Sequence, residues 1–278
     1  IYNLTAEGST AGADGIRTAY ALAEKNFKKN GNNRVILATD GDFNVGISNT
    51  GALAELIGEK KDGGVYLSIL GFGTGNIRDD IMETLSKNGN GNYAYIDTAQ
   101  TAKKVLVEEL GGNLFTVADD VKAQIEFNPE VVKSYRLIGY ENRMLNNEDF
   151  DDDRKDAGEI GAGTDVVALF EIEPVSGRVD PHASPFEVRI RYKEPGESES
   201  KLFTKSTLDT GPDGSASTDF GFACSVAAFG HLLRNSEYTG DATIGTVLAL
   251  AQKNLGRDPG GYRQEYISLL KKYQRLAG

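Results

Sequence analysis

The chain of 278 residues is poor in the side chains that most often carry covalent chemistry, with one cysteine and two histidines. A single thiol excludes an intrachain disulfide, and Cys224, which lies in an apolar run, is predicted to be a small core residue. His182 falls in a turn and His231 on an apolar helix, and neither has a nucleophile or metal-ligand partner nearby in sequence. No serine–histidine–aspartate or paired-carboxylate signature stands out, so we predict that the chain is not an enzyme.

Basic residues and long apolar runs are scarce as well. Lysine and arginine together number 30 against 41 aspartate and glutamate residues, which gives a net charge of −11. Because phosphate binding needs a basic face, this balance argues against a nucleic-acid partner. No apolar stretch approaches the ~18 residues of a membrane-spanning helix, so no span is predicted in this chain.

A regular alternation of helix and strand signals fills residues 1–112. Short, continuously apolar runs are typical of buried parallel strands, and stripes of apolar residues at helical spacing lie between them. The alternation predicts βαβ units and therefore an α/β fold with a Rossmann-like parallel sheet. The predicted strands are Arg34–Thr39, Val65–Gly71 and Tyr93–Ile96, and the predicted helices are Ala13–Lys29, 49–61, 77–87 and Gln100–Leu110.

Near residue 115 the pattern changes to short strands separated by turn-rich loops. For residues 113–278 we therefore predict a second domain, a β-rich, sandwich-like region followed by a C-terminal helical segment. The predicted strands are Val117–Phe127, Ser134–Glu141, Val166–Glu173, Phe186–Tyr192 and Leu202–Thr207; the predicted helices are Phe220–Leu233, Ile244–Lys253 and Tyr262–Leu276.

Two short segments of the first domain carry candidate ligands. Glu7–Gly12 is a glycine-flanked hydroxyl loop before a helix, and Thr39–Gly46 directly follows a buried strand. Loops that leave the carboxyl ends of parallel strands form the binding crevice of such sheets. Threonine and aspartate oxygens are hard ligands suited to Mg²⁺ or Ca²⁺. Alone, the pattern is weak evidence, because Ser-Thr is also a common helix N-cap.

Together, the order and spacing of these segments closely resemble the von Willebrand factor A domain, whose metal-ion-dependent adhesion site is built from three loops. Gly8–Thr10 matches the Gly-x-Thr loop of that family, and Thr39–Gly41 matches its Thr-Asp-Gly loop. The resemblance implies that Thr10 binds Mg²⁺ directly (or Ca²⁺ or Mn²⁺) and that Asp40 assists, often through water. The open coordination position would take a carboxylate from a protein partner.

The later part of the chain resembles the C-terminal extension of bacterial cell-envelope members of the same family. The matching segments are Tyr135–Arg143, Asp156–Gly161 and Asp219–Phe222. The resemblance implies an adhesion or other protein-interaction role at the bacterial cell envelope, either periplasmic or surface-anchored as a lipoprotein. It implies no function for the extension itself.

One loop of the family pattern, Asp-x-Ser-x-Ser, should lie upstream of Ile1 together with its strand. The chain is therefore expected to be truncated at its N-terminus and to hold Mg²⁺ weakly or not at all by itself. Asp213–Ser217 matches the loop literally, but it follows a turn and is predicted to supply helix-capping hydroxyls. In the family the missing strand pairs beside Arg34–Thr39, whose edge would otherwise lack a partner.

Two other functions stay open. A metal-assisted hydrolase would work through Asp40, Asp42 and the acidic run Asn147–Asp153, and an adaptor for an ATPase chaperone is a role that some bacterial relatives of the family play. The acidic run lacks EF-hand spacing, so it is predicted to be a solvated loop, with a weak Ca²⁺ site as the alternative. Gly71–Gly75 fails the spacing of a dinucleotide fingerprint and is predicted to be a plain strand-to-helix turn.

Overall fold

The computed structural model describes residues 12–29, 31–41, 50–74, 77–109, 111–112, 115–140, 144–177, 180, 183–206 and 216–277. Three positions singled out in the sequence, Thr10, Asp42 and His182, lie outside these ranges. Within them, no helix combines the length and the apolar character needed to cross a membrane.

A three-stranded parallel sheet with the order β1-β2-β3 organises the first part of the chain. Its strands are β1 (Arg34–Thr39), β2 (Tyr66–Gly71) and β3 (Tyr93–Tyr95), and the helices around them are α1 (Gly12–Lys25), α2 (Thr50–Asp62), α3 (Asp79–Asn88) and α4 (Ala99–Lys103). A π-helical turn, Lys104–Glu108, continues α4. The predicted α/β alternation is confirmed, and β1 is an edge strand within the described residues.

The core of this sheet lies on the face that packs against α1, α2 and α3. Val35 and Leu37 of β1 point to that face beside Leu67 and Ile69 of β2, because alternate strand residues share a face. The helices complete the core with Ile16, Tyr20, Leu53, Ile57, Met82 and Leu85.

The opposite face of the sheet is covered only in part. Leu70 packs with Ile96 and with Val105 of the π-helical turn. On β1, by contrast, Ile36 is 46% exposed. The apolar sequence of β1 is therefore buried on one face only.

Among its described residues, the β-rich part has six strands. They are β4 (Thr116–Phe127), β5 (Val132–Ile138), β6 (Gly158–Gly161), β7 (Leu169–Pro174), β8 (Phe186–Lys193) and β9 (Ser200–Ser206). β6-β4-β8-β9 form one sheet and β5-β7 a second, and the β4-β6 and β5-β7 pairs are antiparallel. β6, a strand of four residues that begins and ends with glycine, was not predicted from the sequence.

Three helices close the chain: α5 (Thr218–Leu233), α6 (Ile244–Lys253) and α7 (Tyr262–Ala277). Phe229, Val247, Ala251, Ile267 and Leu270 form their common core. The predicted β-rich region and C-terminal helical segment are thus confirmed, and all three helices lie where the apolar periodicity predicted them.

The compact units of the fold are interleaved along the chain. Unit 1 contains residues 1–124, 146–166 and 189–204, and unit 2 contains residues 125–145, 167–188 and 205–278. Unit 1 thus combines the parallel sheet with parts of the β-rich segment. The predicted division into domains 1–112 and 113–278 stays a prediction.

Candidate functional site

Asp40 lies at the carboxyl end of β1, in a turn held by three hydrogen bonds from main-chain N–H groups. The Gly41 N–H donates to Thr39 Oγ1 at 3.0 Å. The Phe72 N–H donates to the Thr39 carbonyl at 2.9 Å, and the Arg78 N–H donates to the Asp40 carbonyl at 3.3 Å. The Thr-Asp-Gly turn is therefore fixed to the loop after β2 and to the start of α3, at the edge where ligand crevices of parallel sheets form.

Two glycines allow this close approach. Gly41 has a φ of 82°, in the left-handed region, and a Cβ there would lie 3.1 Å from Arg78 Cβ. Gly73, in the loop after β2, has a φ of 112°, and a Cβ there would lie 3.5 Å from Asp40 Cβ. The backbone conformations of the turn after Asp40 and of the loop that packs against it thus depend on glycine.

Tyrosines that the sequence analysis did not single out border the same edge. The Tyr95 hydroxyl donates to the Gly73 carbonyl at 2.7 Å. The Tyr93 hydroxyl donates to the Asp79 carboxylate, and burial, followed by this hydrogen bond, raises the pKa of Tyr93. Tyr93 and Tyr95 are two residues apart on the short strand β3, so their side chains share one face of the strand.

The donor set for a metal is incomplete among the described residues. Thr10, predicted to bind the ion directly, lies outside them, as does Asp42. In the ranges that the structure covers, no group of three or more histidine, cysteine, aspartate or glutamate side chains could hold a metal ion. Asp40 alone offers one carboxylate, and octahedral Mg²⁺ coordination needs further oxygen ligands.

The acidic run 147–153, hereafter the acidic strap, is exposed at residues 147, 148 and 151, as expected of a solvated loop, and buried at Phe150. Lys122 of β4, only 3% exposed, lies beneath it. The Lys122 ammonium donates to the carbonyls of Asp149 at 3.2 Å and Asp152 at 2.5 Å. A buried lysine thus supplies the positive charge that the alternative prediction assigned to Ca²⁺.

Cations of the neighbouring strand β8 also hold the strap. Arg191 pairs with the Asp151 carboxylate at 2.6 Å, and the Lys193 ammonium donates to the Asp153 carbonyl at 2.8 Å. Phe150, 4% exposed, lies beneath the guanidinium group of Arg191 at 5.7 Å from its ring centroid. The other aspartate carboxylates have partners too: Asp149 lies 3.5 Å from Lys155, Asp152 lies 2.9 Å from Arg154, and Asp153 accepts from Ser200 Oγ at 2.6 Å. These engaged carboxylates are poor candidates for a hydrolase site.

The remaining candidates have structural surroundings. Ser217 caps α5 by accepting from the Phe220 N–H at 3.1 Å, as predicted for the hydroxyls of the 213–217 segment, whose residues 213–215 lie outside the described ranges. Cys224 is half-buried, and burial raises the pKa of its thiol. His231 lies on α5, where its Nε2 is buried and has no hydrogen-bond partner among the described residues.

Comparison with known proteins gives a family match over the later part of the chain. The family model described as "Uncharacterized protein YfbK, C-terminal" matches residues 112–276. The uncharacterized protein YfbK of Escherichia coli (strain K12) is 42% identical over 288 residues, which cover 98% of this chain. The chain spans 50% of the length of that relative, whose description names no activity.

Solved structures give weaker likenesses. A von Willebrand factor type A protein from Catenulispora acidiphila is 16% identical, with a TM-score of 0.47 over 98% of this chain and 65% of that chain. The conserved hypothetical protein BatB from Bacteroides thetaiotaomicron is 19% identical, with a TM-score of 0.30 over 38% of this chain and 60% of that chain. Both scores are below 0.5.

The predicted C-terminal region of unknown function is confirmed, because both the family model and the curated relative describe uncharacterized proteins. The family model covers more than half of the chain and includes Tyr135–Arg143, Asp156–Gly161 and Asp219–Phe222. The chain belongs to the family defined by the C-terminal region of the uncharacterized protein YfbK.

Proposed function

We propose that this chain is part of a protein-interaction module that binds its partner at the carboxyl edge of the parallel sheet. The observation that carries the proposal is the position of Asp40 at the end of β1. It is followed by Gly41, and Gly73 of the loop after β2 packs against it. Such edges are where parallel α/β sheets bind ligands. The fixed turn presents the carboxylate without a large cost in conformational entropy.

A divalent cation is the second element of the proposal. Asp40 and Thr10 would hold Mg²⁺, or Ca²⁺ or Mn²⁺, together with oxygen ligands from residues upstream of Ile1. The bound ion would supply a coordination position for a carboxylate of the partner protein. Since Thr10 and the upstream loop lie outside the described residues, the metal dependence rests on the resemblance of the two loops.

We place the protein at the bacterial cell envelope for the same reason. The support is the resemblance of Tyr135–Arg143, Asp156–Gly161 and Asp219–Phe222 to the C-terminal extension of bacterial cell-envelope members of the von Willebrand factor A family. Fractionation of cells that express the full-length protein tests this location: recovery with the periplasm or a membrane is expected, and recovery in the cytoplasmic fraction alone would contradict it.

Calorimetric titration with Mg²⁺ tests the metal site. For the 278-residue chain we expect weak binding or none, because one carboxylate and one hydroxyl do not complete the coordination shell. A longer form that contains the upstream loop should bind Mg²⁺, and Asp40→Ala should remove that binding.

Asp62→Ala is the matched control, since Asp62 ends α2 before β2 begins and therefore lies toward the opposite edge of the sheet. The assignment is overturned if the longer form still binds Mg²⁺ after Asp40→Ala. It is also overturned if Asp62→Ala removes the binding to the same extent. Submicromolar binding by the 278-residue chain, abolished by Asp40→Ala, would contradict the incomplete site.

A further inference from the structure

Three acidic residues lie where β4 and β6 pair irregularly. The ladder skips at residues 119–120, so that Asp119 and Asp120 of β4 together lie opposite Glu159 of β6. Two residues facing one define a β-bulge, a feature that re-aims side chains. Asp120 has a φ of 49°, in the left-handed region that aspartate tolerates better than most residues. The bulge therefore concentrates negative charge inside unit 1.

Only Asp120 of the three has an ion-pair partner among the described residues. Its carboxylate accepts from Lys193 at 2.6 Å and from the Ala157 N–H at 3.0 Å. Burial acts against the charged form of Asp120, but these two donors outweigh burial and lower its pKa. Asp119 accepts from the Gly196 N–H at 3.2 Å, and burial raises its pKa.

Arg34 approaches the cluster from the amino-terminal end of β1. Its guanidinium donates to Ser68 Oγ at 2.8 Å and to the Asn90 carbonyl at 3.4 Å, and lies 5.4 Å from the centroid of the Tyr66 ring. Arg34 Nε is buried and has no hydrogen-bond partner among the described residues. Burial lowers the pKa of Arg34, whereas Tyr66 and Glu159 act in the opposite direction. Arg34 and Tyr66 thus bring β1 and β2 into the electrostatic environment of β6.

We propose that the protonation of Glu159 controls how tightly β6 is held against the amino-terminal edge of the parallel sheet. The protonated side chain stays in the seam as a neutral group. The deprotonated side chain is disfavoured there by burial and by three neighbouring carboxylates, Asp119, Asp120 and Asp156, and it moves towards solvent. Lys193 and Lys61 do not offset this charge, because Lys193 pairs with Asp120 and Lys61 lies 3.7 Å from Asp156. Arg34 interacts favourably with the deprotonated form of Glu159, but burial and the three carboxylates outweigh this interaction.

The direction of the pH dependence follows from these surroundings. Burial, and then Asp156, Asp119 and Asp120, raise the pKa of Glu159 from 4.5 to about 7. Because the pKa is raised in the folded state, the closed arrangement of β6 has its full stability below about pH 4.5. This stability is lost as the pH rises through about 7. The full loss is at most about 300-fold in the equilibrium for opening, and about 30-fold of it falls between about pH 5.5 and about 8.5.

Hydrogen exchange of the 278-residue chain, corrected for the intrinsic dependence on pH, tests the proposal. Protection of the β6 amides and of the β1 amides next to Arg34 should fall by about 30-fold between about pH 5.5 and about 8.5. Glu159→Gln should remove this dependence. Glu126→Gln, at an exposed glutamate of β4, is the matched control and should keep it.

A wild-type chain whose β6 protection is independent of pH would overturn the proposal. The same conclusion follows if Glu159→Gln keeps the wild-type slope or Glu126→Gln loses it. Should Glu159→Gln not fold, carboxyl-carbon NMR of the wild-type chain decides: a glutamate that titrates near pH 7 supports the proposal, and titration of every glutamate below about pH 5.5 contradicts it.

Discussion

Lys122→Met removes the ammonium group under the acidic strap and keeps most of the apolar stem. In the native chain this group is buried and donates to two backbone carbonyls, those of Asp149 and Asp152. A hydrogen bond from a charged group contributes about 1.5–3 kcal/mol, and a buried acceptor that loses its donor costs about 1–3 kcal/mol. Because the strap can admit some water, we expect a loss near the lower limit for two such bonds, about 3 kcal/mol.

The assay is urea unfolding followed by circular dichroism and by tyrosine fluorescence, since the chain has 12 tyrosines and no tryptophan. A loss of about 3 kcal/mol raises the unfolding equilibrium constant about 150-fold. Lys155→Met is the control: Lys155 lies 3.5 Å from the Asp149 carboxylate, but its side chain is 48% exposed, so its loss should cost less than about 1 kcal/mol.

The reasoning about Lys122 is refuted if Lys122→Met costs no more than Lys155→Met. It is also refuted if millimolar Ca²⁺ stabilises the wild-type chain and Lys122→Met leaves that response intact. The second result would mean that the strap takes its positive charge from solution, as the alternative prediction from the sequence had it.

Three further substitutions test the packing, each by the change in the free energy of unfolding. Tyr20→Phe should leave stability unchanged or raise it by about 1 kcal/mol, because the buried hydroxyl has no partner among the described residues; a loss above about 1 kcal/mol would reveal one. Gly91→Ala should cost more than about 3 kcal/mol, since the new Cβ would lie 1.8 Å from the Leu67 carbonyl oxygen, whereas Gly111→Ala, with no atom within 4 Å, should cost little. Thr243→Ala removes the capping box of α6 and should cost about 1 kcal/mol; an unchanged stability would contradict this.

Local signals predicted the elements with clear boundaries. β1 and α6 coincide with their predicted ranges, since a breaker precedes one and a threonine cap precedes the other. β6 carries no apolar pattern, and its extended backbone depends on pairing with β4, which no local signal encodes. The helix predicted over Gln100–Leu110 widens to a π-helical turn at Lys104, a change that the apolar spacing does not contain.

The candidate site divides in the same way. Asp40 could be placed at the carboxyl edge of the sheet because it directly follows a buried strand. The burial of Lys122 could not be predicted from the sequence, because a lone lysine in a strand is usually exposed. Its burial depends on the strap, which lies 27–30 positions further along the chain. Thr10 lies outside the described residues, and its role stays a prediction.

The lysine beneath the strap has a practical meaning for work with chelators. The ammonium group of Lys122 is covalently part of the chain, so it cannot be removed by dialysis or by EDTA, nor exchanged for a competing metal. The charge balance of this part of unit 1 is therefore set when the polypeptide is made, independently of the divalent ions around it. We therefore expect a response of the protein to chelation to originate elsewhere in the molecule, and the carboxyl edge around Asp40 is the first place to look.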